Sequence, residues 1–223
     1  MIIDKNKAIA FMSLGLLFLV DVVYAESSLV GNIGVTTNYV WRGISQSDDH
    51  AAVSSGIDYN HPSGWYAGGW TSSLDGSDSE NSYELDLYVG YRFKAGSTDL
   101  DMGYIDYRYP IGSAPNDFGE VYLNASFDNY AAGVAYSVRT EHNPANEDNL
   151  YTFISADFEV KKDLYLDLLV GGYDFDDPAR TNYTHRAIGL RKGNFSITFH
   201  KNTLSGIAGD TRWSGSWKKE FDL

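Results

Sequence analysis

Two histidines, His185 and His200, are the first residues of this chain whose chemistry depends on where they are held. If Gly193-Asn194 is a two-residue turn, Lys192 faces Phe195 and Ala187 faces His200. His185 is then the diagonal neighbour of His200 on the same face, roughly 7 to 8 Å away. Such a pair suits a metal ion or a pH-sensitive gate. No third ligand accompanies it, so two polar side chains in a wet interior are the plainer reading, and no metal or cofactor is assigned. Ser196 and Ser205 lie near His200 in sequence, and a serine activated by histidine is hydrolase chemistry. Ser196 stands four residues along the same extended segment, about 13 Å away, and no motif links the two. Asp174, Asp176 and Asp177 form an acidic patch able to bind calcium or to bridge lipopolysaccharide through divalent ions. No glycine supplies the tight turn of a dedicated calcium loop there, which favours a solvated loop.

The remaining ionisable residues make sense once the chain is read for alternation. From Ser82 to Phe93, Tyr83, Leu85, Leu87, Val89, Tyr91 and Phe93 fall on one face, and Glu84, Asp86, Tyr88, Gly90 and Arg92 on the other. That period of two marks a β-strand with one apolar face. The pattern recurs in strands over 29–42, 50–60, 65–74, 98–109, 119–127, 130–139, 150–158, 164–174, 183–192, 195–202 and 212–223. In the third of these, Trp65 and Trp70 fall on opposite faces and leave the facing open. In the strand 98–109 the phase slips near Ile105, which suggests a bulge. No helical stretch interrupts the series.

Connections alternate between short turns, such as Asp128-Asn129 and Gly193-Asn194, and long polar loops, such as 140–149 and 203–211. Short turns at one end and long loops at the other mark a transmembrane barrel. The fold expected is therefore all-β: a closed antiparallel barrel of about twelve strands, both termini on the short-turn side. Closure removes the unpaired edges that lipid does not tolerate. Its inward polar faces then carry the acids Asp58, Glu84, Asp86, Asp99, Asp101, Glu120, Asp157 and Asp167 and the bases Arg42, Arg92, Arg139 and Arg191, together with His185 and His200. Such residues line a pore and set its ion preference; the alternative is a plugged lumen in which opposite charges pair. Trp41, Trp65, Trp70, Trp213 and Trp217 are expected in the interfacial aromatic girdles rather than along a sugar path.

The chain's beginning fits export. Lys5 and Lys7 precede an apolar run from Ala8 to Val20, too short to span a bilayer, and Val23-Tyr24-Ala25 offers a cleavage site. Residues 1–25 read as a signal peptide cut between Ala25 and Glu26, and 26–223 as the barrel. The chain has no cysteine, so no disulfide supports the exported domain. A formal net charge of −13 argues against nucleic acid as a partner. At the other end Trp213, Trp217, Phe221 and Leu223 share an alternating face interrupted by Lys219, the kind of terminal strand that barrel-assembly machinery reads.

Several stretches resemble the TorF-like outer-membrane porins of proteobacteria. They are the opening motif from Gly31 to Ser47, Gly64-Trp65-Tyr66-Ala67-Gly68, the strand from Glu84 to Tyr91, the segment from Gly103 to Pro110, and Glu120-Val121-Tyr122. The resemblance implies a bacterial outer-membrane barrel with pore function, and carries no catalytic residue. The function expected is passive diffusion of small solutes or ions through a non-enzymatic channel, with membrane lipid and lipopolysaccharide around it. The acidic excess of the inward set, with Asp48, Asp49, Asp75, Asp78, Glu80, Glu141, Glu147, Asp148, Asp176 and Asp177 on the long loops, leans it towards cations. A phospholipase-like barrel enzyme and a closed structural or adhesive barrel are the alternatives.

Overall fold

The computed structural model describes residues 26–75, 82–110, 116–141 and 148–223. The expected signal peptide through Ala25, and the loop acids Asp78, Glu80 and Glu147, lie outside them. The strands are β1 (Ser28–Thr36), β2 (Val40–Trp41), β3 (Ile44–Ser45), β4 (Ala52–Asn60), β5 (Trp65–Ser73), β6 (Tyr83–Ala95), β7 (Thr98–Arg108), β8 (Phe118–Phe127), β9 (Tyr130–Thr140), β10 (Leu150–Lys161), β11 (Leu164–Asp174), β12 (Tyr183–Lys192), β13 (Phe195–Asn202) and β14 (Arg212–Asp222). All except β2 and β3 form one closed antiparallel barrel, in which β1 pairs with both β4 and β14. Twelve strands close the sheet, so no lipid-facing edge is left with unpaired backbone groups.

The alternation sorts the side chains as expected. Ile33, Val35, Leu87, Val89, Val121, Leu123, Ile188 and Leu190 are exposed on the outer wall, whereas Asn32, Glu84, Asp86, Asp101 and Glu120 are buried inside. An apolar exterior around a polar interior reverses the arrangement of a water-soluble barrel and is the architecture of a chain that spans the bacterial outer membrane. Trp65 and Trp213 stand on the outer wall, as girdle residues do.

Four expectations need correction. The first strand does not run to Arg42. It ends at Thr36, and residues 37–51 fold back into the barrel, with β2 and β3 as a hairpin of their own. Trp41 therefore faces the lumen rather than the girdle. Trp70 also points inward: it pairs across the strands with Asp86 and is buried, whereas Trp65 on the same strand faces out. The phase slip at Ile105 is not a bulge, because the registers of β7 with β6 and β8 run through it unbroken. Ile105 and Tyr107 face the lumen, and Asp106 faces out between them.

The fourth correction follows from a bulge that is present. Between β8 and β9 the register shifts, so that Glu120 faces Ser137 while Gly119 faces Arg139. The extra residue turns Arg139 to the outer wall, where it bonds Asp106 across Gly119 and reaches Glu141 at 3.2 Å. Arg139 does not line the lumen.

Candidate functional site

The site is the lumen and the hairpin that enters it. Arg42 and Gly43 form the hairpin's two-residue turn, with φ of 47° and 79°. Two positive φ values are the requirement of a type I′ turn, whose twist matches paired strands. A side chain at Arg42 makes that conformation costly, and it persists because the guanidinium is held. Its Nη1 and Nη2 donate to the two carboxylate oxygens of Glu120 at 2.8 and 2.6 Å, a bidentate pair buried on both sides. The same guanidinium lies over the rings of Trp41 and Tyr151, 4.2 and 4.0 Å from their centroids. Burial opposes its charge, but the facing Glu120 carboxylate outweighs that and holds Arg42 further into its charged form.

The turn is fastened to the far wall as well. Tyr183 Oη donates to the Arg42 carbonyl at 3.1 Å, and Asn202 Nδ2 to the Gly43 carbonyl at 2.8 Å. Trp41 packs edge-on against Tyr107, Phe118 and Tyr173. At the hairpin's base Tyr39 Oη donates to Glu84 at 3.3 Å, and burial followed by the Glu84 charge keeps that phenol protonated well above its usual range. Arg212 Nε holds Asp49 at 2.8 Å. The hairpin and its base therefore touch β6, β7, β8, β10, β11, β12, β13 and β14, and narrow the lumen from one wall to the other.

Below the hairpin, inward glycines make room for tyrosines lying flat on the wall. Tyr66, Gly90, Gly103 and Tyr122 form one row across β5 to β8. The two tyrosine hydroxyls meet over the glycines, and Tyr66 Oη donates to Asp101 at 2.6 Å. A Cβ on Gly90 would sit 2.4 Å from the Tyr66 ring, so glycine is needed at that position. By the same device Tyr88 crosses Gly68 to donate to Asp58 at 2.6 Å.

Of the lumen residues expected from sequence, Asp58, Glu84, Asp86, Arg92, Asp99, Asp101, Glu120, Asp157, Asp167, His185, Arg191 and His200 are placed inside by strand alternation, and Arg42 by the hairpin. Arg191 approaches Asp167 at 3.4 Å; Arg92 lies 3.9 Å from Asp101 and over the Tyr66 ring. The register places Ala187 opposite His200, so His185 and His200 are diagonal neighbours. They turn to different partners: His185 Nε2 meets Tyr151 Oη at 2.9 Å, and His200 Nε2 meets Ser214 Oγ at 3.2 Å. Among the described residues no cluster of three ligands could hold a metal. The Ser214–His200 contact is buried, and His200 Nδ1 has no orienting partner, so the arrangement of a catalytic triad is not met. Asp177 caps a local turn, accepting from Ala179 N at 2.9 Å.

Sequence reasoning missed the hairpin and the inward bases Lys94, Arg212 and Lys218, which pair with Asp99, Asp49 and Glu220. The available signal was Arg42-Gly43 between Val40-Trp41 and Ile44, a short apolar hairpin pattern inside what reads as one long strand.

Residues 24–201 match the model of a family described as a bacterial protein of unknown function (Gcw_chp); the TorF-like name is not the one this match gives. No curated protein matches the chain in sequence. Among solved structures, the KdgM porin superposes with a TM-score of 0.57 at 12% identity, covering 86% of this chain and 99% of that one. The NanC porin gives 0.50 at 11% identity, covering 86% and 98%. At such identities the likeness is one of fold.

Proposed function

The chain belongs to the Gcw_chp family of bacterial proteins, and we propose that it is an outer-membrane channel for passive diffusion of small solutes or ions, narrowed by its own first long loop. The observation that carries this reading is the ionised interior. Charged side chains line the inside of a barrel whose outside is apolar, and charges are kept in such a place where ions or polar solutes pass. The porin-like fold supports the same reading.

The channel prefers cations. Asp58 and Glu84 accept from tyrosine hydroxyls, Asp86 and Glu84 share a proton between their carboxyls, and none of the three forms an ion pair with Lys or Arg among the described residues. Asp48, Asp75, Asp148, Asp176 and Asp177 add negative charge at the long-loop end, where Asp49 and Glu141 are paired with Arg212 and Arg139. That charge raises local cation concentration and repels anions.

Planar-bilayer recordings under a KCl gradient test both parts. Reversal potentials should favour K⁺ over Cl⁻ at 0.1 M salt and less so at 1 M, where the Debye length falls from about 10 Å to about 3 Å. A clear anion preference at low salt refutes the selectivity. A correctly folded barrel that never conducts refutes the channel and favours a closed structural barrel, a reading to which the wall-to-wall hairpin lends weight.

A further inference from the structure

Between the hairpin and the wall formed by β5 to β10 lies a cavity of about 90 Å³. Its lining includes Tyr39, Trp41, Trp70, Tyr88, Tyr107 and the carboxylate of Asp86. Several rings and the Asp86 carboxylate, with the paired Arg42 and Glu120, surround a small space, and aromatic faces and carboxylates both attract a cation.

The polar atoms make the case stronger. Asp86 is 6% exposed, and its Oδ1 has no hydrogen-bond partner. Buried acceptors and donors are seldom left unpaired, since each costs about 1 to 3 kcal/mol. Asp86 and the buried Glu84 are in hydrogen-bond contact with each other, and neither forms an ion pair with Lys or Arg among the described residues. Arg42, the one Lys or Arg lining the cavity among the described residues, is committed to Glu120. The two carboxyls share a proton, so the pair carries one negative charge that no Lys or Arg offsets among the described residues, beside an acceptor that needs a donor and walls suited to alkyl groups and positive charge.

We propose that this cavity is a binding site for a small primary ammonium ion, whose N–H groups donate to Asp86 and whose carbon chain lies among Tyr39, Trp70 and Tyr107. The proposal deepens the channel reading and rests on it for the route by which the ligand arrives: the site sits where the hairpin narrows the lumen, and it selects organic cations there. A quaternary ammonium lacks the donor that Asp86 requires, and a neutral alcohol lacks the charge.

The test is calorimetric titration of the detergent-folded barrel with propylammonium chloride, set against 1-propanol, tetramethylammonium chloride and KCl. Saturable binding of propylammonium is expected, at least tenfold tighter than any of the other three. Asp86→Asn should weaken it at least tenfold and Trp70→Leu severalfold, while Asp128→Asn in a distant turn leaves it unchanged. Folding of each variant is checked by its heat-modifiable migration, and Glu84→Gln replaces Asp86→Asn if the latter does not fold. Equal binding of 1-propanol, or none of propylammonium by the folded wild type, overturns the proposal. Bilayer recordings with the same salts separate the two readings. A barrel that conducts K⁺ but neither binds nor is blocked by propylammonium leaves the channel standing without this site. One that binds propylammonium without conducting leaves the site and removes the channel.

Discussion

If the hairpin sets the width of the lumen, Arg42→Ala should widen it. The substitution removes both guanidinium bonds to Glu120, of 2.8 and 2.6 Å, and leaves that carboxylate buried without its cation. Breaking one side of a buried pair costs about 3 to 5 kcal/mol. Alanine keeps the Cβ at the φ of 47°, so the substitution returns none of the turn's strain. The loss of about 3 to 5 kcal/mol corresponds to an increase of about 100- to 4,000-fold in the ratio of displaced to seated hairpin, at tenfold per 1.4 kcal/mol. The Tyr183 and Asn202 bonds to the turn's carbonyls remain, so the hairpin should exchange between positions rather than leave for good. Single-channel recordings should then show larger or longer openings than the wild type, with heat-modifiable migration confirming the fold. Glu120→Gln should act in the same direction. The double variant Arg42→Met with Glu120→Met replaces the pair by apolar side chains, leaves no buried charge, and should return conductance towards wild type. Unchanged openings in folded Arg42→Ala would refute the constriction, and so would a double variant as open as the singles.

Three further outcomes follow from the same geometry. Leu87→Arg or Leu166→Arg should destabilise the barrel by about 2 to 4 kcal/mol, seen as a lower urea midpoint in folding titrations, because each places a charge in the lipid belt. Gly171→Arg should fail for a different reason: even a Cβ there meets His185 Nε2 and Tyr151 Oη at 2.6 Å, so folding should recover when both are cut back by Tyr151→Ala with His185→Ala. Arg139→Ala should leave reversal potentials unchanged while Arg92→Ala shifts them further towards cations, since Arg139 lies on the outer wall and Arg92 in the lumen; equal shifts would show that the bulge does not turn Arg139 outward.

Much of the barrel could be read directly from the chain, because strand periodicity is a local property. Each strand must place alternate side chains in lipid and lumen, so Leu164–Asp174 and Tyr183–Lys192 show their limits and faces in their own residues. The His185–His200 relation was legible for the same reason, being fixed by a two-residue turn between neighbouring strands. Facing failed where it depends on a partner strand: Arg139 follows the alternation of β9 in sequence, and only its pairing with β8 reveals the extra residue. The hairpin was illegible for a further reason. Tyr39 and Trp41 continue the alternation of β1, and nothing local says that the chain has left the wall. What takes it inside is Glu120, 78 residues away, with Tyr183 and Asn202 farther still. The sequence by itself determined a twelve-stranded wall with a charged interior, because alternation is written residue by residue. Only the tertiary structure decided which charges meet and how far the lumen is filled, because those contacts join strands that are distant along the chain and come together only when the barrel closes.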